Sequence, residues 1–324
     1  MRNTATRRVP APEHRIDGHR YRATAQVEVT AHAVRQFARA VRDFHPAHSS
    51  AAAAAELGYP ALIAPPTFSS IVLGRVQREI LDIVGSGSES ARILHADQVI
   101  DIGRPLFAGD LLGCDIYFES FRQFADYDVM AIRSALTAAD GTVVQTGSAA
   151  LLARTGERES VLGEVARRIT RRGYAAVDGP APEAPLPARA PWPTVRFDEL
   201  AVGTEIPPGS LLLAHEDLAR FAAATGEPVR ADAGGTAPGM LQLGLASGYV
   251  SNWLGDPGAV TRIHAQFGSV THYLRIPAAG AVAVTLRARV DQLDPRERRA
   301  TLAIDLRSGG RPLFGYAAAE VRFP

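Results

Sequence analysis

The feature that most constrains this chain is that it contains one pattern twice. Residues 29–41, VTAHAVRQFARAV, recur as LAHEDLARFAAAT at 213–225, with Phe37 and Phe221 at the same place on the apolar side. An Ala-Pro step followed by a long apolar stretch, ALIAPPTFSSIVLG (61–74), recurs as GTAPGMLQLGLASG (235–248). Strand-like runs follow in the same order, ILHADQVIDIGRPLFAGDLLGCDIYFESF (93–121) against IHAQFGSVTHYLRIPAAGAVAVTLRARVDQL (263–293). Each half closes on two strands around a glycine-containing turn, 129–154 and 300–323. Each unit is therefore a leading helix, a central helix and a series of antiparallel strands.

A helix that is apolar nearly all round, as GMLQLGLASGYVSNWL (239–254) is, must be enclosed. A curling antiparallel sheet encloses it, and the expected fold class is α+β, a double hotdog in which two such sheets join side by side and remove a pair of exposed edges. The Pro- and Ala-rich DGPAPEAPLPARAPWP (178–193) separates the units. The expected organisation is a disordered tail over 1–20, an N-terminal hotdog over 21–158, a linker over 159–192 and a C-terminal hotdog over 193–324. Within the linker, Arg167, Arg168, Arg171 and Arg172 would form a solvated positive stripe if helical.

Several chemistries are excluded by composition. All 35 basic residues are arginine, which rules out a Schiff-base or phosphate-loop lysine. Cys114, the single cysteine, lies in an apolar run and reads as a buried thiol, and no His/Asp/Glu set has metal-ligand spacing. No metal and no cofactor are expected. A formal net charge of +1 points away from nucleic acid, and no apolar window is long enough for a membrane helix, so a cytoplasmic protein is expected.

Six of the nine residues in RDFHPAHSS (42–50) are of types that end helices or carry chemistry: an aspartate, two histidines, a proline and two serines. The bland reading is a polar turn. The segments AELGYPALIAPPTF and LHADQVIDIGRPLFAGD resemble the FAS-like dehydratase half of MaoC-like proteins and the A-type subunit of mycobacterial (3R)-hydroxyacyl-ACP dehydratases. APGMLQLGLASGYVSNWLGDPGAVT resembles their B-type subunit. That family's hydratase motif reads Asp-x-Asn-Pro-x-His and usually stands in the second half. Here the second half has Glu227 and Asp232 at the Asp and His places, and the intervening stretch is shorter. The first half has Asp43-x-His45-Pro46-x-His48, which departs only at the asparagine.

The resemblance thus implies Asp43 and His48 as a catalytic pair in the first half. In elimination His48 would accept the C2 proton of a (3R)-3-hydroxyacyl thioester, while Asp43 holds the departing hydroxyl and exchanges the second proton. Thr67, where the family has Ala-His-Gly and this chain has Ala64-Pro65-Pro66, would serve the thioester oxyanion or cap its own backbone. His45 would position the loop or help at the oxyanion, and His95 and Gln98 would line or brace the pocket. His264 and His272 read as strand positions without a partner. The substrate would arrive on acyl carrier protein or CoA in a polyketide or specialised fatty-acyl pathway, and the chain would form a homodimer or join another hotdog protein. Two alternatives stay open: a catalytically degenerate double hotdog that binds acyl chains or completes a partner's site, and a thioesterase using Glu79.

Overall fold

The computed structural model describes residues 16–83, 93–155, 160–172, 181–183, 191, 193–226, 235–267 and 273–324. In the first half β1 (His19–Arg22) and β2 (Val27–Glu28) lead into α1 (Ala31–Ala40), the short α2 (Ala51–Glu56) and α3 (Ser69–Ile83). Strands β3 (Ile93–Ile102), β4 (Leu111–Gln123), β5 (Tyr127–Thr137) and β6 (Val143–Arg154) follow. After α4 (Val161–Arg172) the second half repeats the plan with β7 (Glu205–Ala214), α5 (His215–Thr225), α6 (Gly239–Leu254), β8 (Val260–Phe267), β9 (Ala281–Asp294), β10 (Arg299–Ser308), β11 (Arg311–Pro312) and β12 (Phe314–Arg322).

The strands form one sheet in the order β1-β4-β5-β6-β3-β8-β12-β10-β9-β7, with every ladder antiparallel. The order reads the same from either end, as two tandem copies require. The seam is β3 against β8, where Ile100 stands opposite Ile263 and Gln98 opposite Ala265. This is the double hotdog expected from the repeat. The repeat-related phenylalanines also meet: Phe37 and Phe221 are both fully buried, with ring centroids 6.2 Å apart.

Helix α6 buries nearly every side chain between the sheet and the first half, and it ends at Gly255, which takes the left-handed conformation (φ 75°) of a helix stop. Helix α1 is amphipathic, with Thr30 capping its N-terminus by accepting from Ala33 N at 3.0 Å and Val34, Phe37 and Ala38 facing the core.

Two boundaries differ from expectation. Residues 16–20 belong to the first hotdog and not to a disordered tail, because Ile16 is buried and β1 is anchored by Arg20 and Arg22 on Asp115, at 2.6 and 2.9 Å, and residues 1–15 lie outside the described residues. The segment taken as linker contains α4, whose Val161, Leu162, Val165, Ala166 and Ile169 are buried. An i, i+4 apolar stripe of that kind folds back on the sheet because leaving it in water costs roughly 1.5–3 kcal/mol per large side chain. On its outer side Glu164 pairs with Arg167 and, at 2.8 Å, with Arg168.

Candidate active site

Helix α1 stops at Val41, and Arg42 turns the chain in the left-handed region (φ 57°). That conformation is costly for a non-glycine residue, and it is held here by Arg42 pairing with buried Asp217 of α5 at 2.7 Å. The turn drives Asp43 inward, where its N–H donates to Ala38 O at 2.9 Å. Pro46 then starts a single 3-10 turn over Pro46–His48, capped by His45 Nδ1 accepting from Ala47 N at 3.2 Å. The result is that Asp43 and His48, five positions apart, face each other with 1% of each residue exposed.

His48 Nε2 lies 3.1 Å from Asp43 Oδ2. Among the described residues neither atom has another partner. The other two atoms are fixed. His48 Nδ1 donates to Ile63 O at 2.7 Å, which leaves Nε2 as the nitrogen that exchanges a proton. Asp43 Oδ1 accepts from His45 N at 3.3 Å and from Asn252 Nδ2 of α6 at 3.1 Å. Burial pulls the His48 pKa down and is the largest single influence. The Asp43 charge and contact, with the Ile63 carbonyl, together outweigh it, and the pKa is raised. His45 is lowered, first by burial and then by the neighbouring His48.

The second half forms the far wall. Gly248 of α6 packs so closely that a Cβ there would stand 2.9 Å from Asp43 Cβ and 3.2 Å from its Cα. Gly244 likewise faces Val41 and Thr67. His45 Nε2 donates to Gly255 O at 3.0 Å, and the Tyr59 hydroxyl donates to buried Asp256. His45 is therefore a tether between the halves, and no geometry places it at an oxyanion. Thr67 is fully buried beside Gly244, with Oγ1 unpartnered among the described residues, so it does not cap its own backbone.

Similarity to known proteins follows this architecture. Residues 15–147 match the family model described as FAS1-like, dehydratase domain region. The UPF0336 protein of Mycobacterium tuberculosis strain H37Rv is 38% identical over 152 residues, 47% of this chain and 92% of that protein. The UPF0336 protein of Streptomyces coelicolor is 34% identical over 147 residues, 45% of this chain and 98% of its own length. A solved MaoC-like dehydratase matches along both halves, with a TM-score of 0.80 and 30% identity over 96% of this chain and 99% of that one. The chain belongs to the MaoC-like dehydratase family. A double-hotdog protein of M. tuberculosis, 14% identical with a TM-score of 0.66, shares the fold. Membership makes this a hydratase or dehydratase at the level of the family.

In this MaoC-like chain, His95 and Gln98 do not touch the pair. They line a separate, largely apolar cavity of about 70 Å³ in the first hotdog, bounded by α3, the sheet and Leu162 and Val165 of α4. Gln98 Nε2 is spent on Val99 O at 2.9 Å, and the His95 ring stands edge-on to Phe267. The second-half residues Glu227 and Asp232 lie outside the described residues, as does His272. His264 is not partnerless: its Nε2 is 2.9 Å from Asp97 Oδ2 across the seam. Glu79 accepts from the Tyr21 hydroxyl and from Thr24 N at 2.9 Å, which engages it structurally. Cys114 is buried, and burial pushes its thiol up to about 12. No helix among the described residues is long and apolar enough to cross a membrane. Asn252, Tyr59 and Asp256 escaped the sequence reading, although Asn252 and Asp256 both lie in the GYVSNWLGDPGAVT segment that carried the second-half resemblance.

Proposed function

We propose that the chain interconverts (3R)-3-hydroxyacyl and trans-2-enoyl thioesters by elimination or addition of water, with residues 21–158 as the catalytic hotdog and residues 193–324 as its support. The observation that carries this reading is the buried pair, His48 Nε2 beside Asp43 Oδ2, each otherwise unpartnered among the described residues. In hydration, Oδ2 takes a proton from water as its oxygen bonds to C3, and the Nε2–H of His48 delivers a proton to C2. Dehydration is the reverse, so in both directions the pair carries a single proton that changes places. A positioned acid or base of this kind contributes roughly 10² to 10⁴ in rate.

Charge that develops on the thioester oxygen needs a donor, and the buried Thr67 hydroxyl, unpartnered among the described residues, supplies it in this reading. The apolar lining of the cavity, with Leu73, Ile80, Ile116 and Met130 among its side chains, suits an acyl tail. Leu73, which lines it, follows Thr67 by six residues. The thioester is carried on acyl carrier protein or CoA, both of which present it on the same kind of thiol arm. A hotdog thioesterase has less support, because Glu79 is held by Tyr21 and Thr24.

The test is to incubate the purified chain, alone, with 3-hydroxyacyl and 2-enoyl thioesters of several lengths. Interconversion without release of thiol supports the proposal. Free thiol would point to hydrolysis, and no reaction with any thioester would leave the degenerate acyl-binding reading in its place.

A further inference from the structure

We infer that Asn252, from the half that carries no catalytic histidine, is the positioning residue that decides which oxygen of Asp43 faces His48. The inference rests on the proposed reaction for its kinetic consequence, but its geometric content stands apart from it. The two Asp43 oxygens are not equivalent. Oδ1 receives both available donors, Asn252 Nδ2 at 3.1 Å and His45 N at 3.3 Å, while Oδ2 receives none and meets His48.

The amide of Asn252 is itself locked, because the same Nδ2 donates to Gly248 O at 2.6 Å, one turn back on α6. A rotamer tied to its own helix cannot follow a carboxylate that turns, so the helix acts as the fixed reference. Gly248 makes the approach possible, since any Cβ there would collide with Asp43. The motif in the first half lacks the asparagine and has His45 in its place, and His45 is occupied in reaching Gly255 O at 3.0 Å. The carboxamide therefore arrives from 209 residues away, across the interface between the hotdogs. Asn252 is also solvent-exposed while both members of the pair are buried. The second hotdog is in this way part of the active site.

Two readouts test the inference. The first is titration of the His48 ring by NMR in wild type and Asn252→Ala, with the remaining groups around it unchanged: Asp43 and His45 on its own loop, and Asp256 with its Tyr59 partner behind His45. With the carboxylate free to turn away, His48 should titrate at lower pH in the variant. An unchanged or raised value overturns the inference. The second is steady-state kinetics, where kcat should fall about tenfold in Asn252→Ala, as for loss of one charge-assisted hydrogen bond at an exposed donor. KM should stay within about twofold and Asn252→Asp, which keeps the shape but presents an oxygen, should be no better than alanine. A kcat within twofold of wild type for Asn252→Ala, or for Asn252→Asp, overturns it. If the wild type itself shows no hydration or dehydration, the proposed reaction fails and the titration alone decides the role of Asn252.

Discussion

His48 Nε2 and Asp43 Oδ2 stand 3.1 Å apart in a site where each residue is 1% exposed, and the remaining nitrogen and oxygen of the two side chains are engaged elsewhere. Orientation, proton traffic and pH response all follow from that arrangement.

Removing either member should stop the reaction. We expect His48→Gln and Asp43→Asn each to lower kcat by at least about a hundredfold, the lower end of what a positioned acid or base supplies. Gln and Asn are the informative substitutions because alanine would leave a void in a fully buried position. Rates of enoyl-thioester hydration measure the effect, and retention of more than a tenth of wild-type turnover in His48→Gln would remove His48 from the mechanism.

The pH profile follows from the proton count. The working pair carries one proton, and because the pKa of His48 is raised, that proton is retained above the usual imidazole value of about 6.5. Hydration should therefore hold through neutrality and fall as pH rises through the raised value, with the slope of one proton. A rate that instead climbs with pH over the same interval would show that neutral His48 beside ionised Asp43 is the active form.

Stability should respond with a matching sign. A histidine whose pKa is higher folded than unfolded binds its proton more tightly in the native state. Its contribution is fully present below about pH 6.5 and is lost as pH rises through the folded value. The Tm of wild type minus that of His48→Gln should accordingly be larger at acid than at alkaline pH. Thermal melts across that range check it, and a difference that grows with pH would contradict the raised value.

The cavity in the first hotdog predicts a chain-length limit. Leu162 and Val165 of α4 form part of its wall, so Leu162→Ala or Val165→Ala should move the preferred acyl chain to greater length, and Leu162→Trp to shorter. Measuring kcat/KM across a series of enoyl thioesters reads the shift directly. A profile that does not move in any of the three would place the acyl tail elsewhere.

What the amino-acid sequence determined by itself was whatever is written locally or by repetition. The two hotdog units were legible because Phe37 and Phe221, and the Ala-Pro steps at 65 and 238, recur in register. The His/Asp pair was reached through the resemblance of Asp43-x-His45-Pro46-x-His48 to the family's motif, since the residues alone read as a polar turn. Tertiary structure decided what depends on distant segments meeting. Helix α4 looked like part of a linker because its apolar stripe has a reason to fold only once β5 and β6 offer a face. His264 looked solitary until the β3–β8 seam brought Asp97 to it. Asn252 carried no local sign of this role, since an asparagine on an apolar helix becomes a donor to Asp43 only when Gly248 lets α6 pack closely on the turn that follows α1. Spacing along the chain encodes turns and periodicity; which oxygen of a buried carboxylate is left free is set by packing between elements that the chain order does not place side by side.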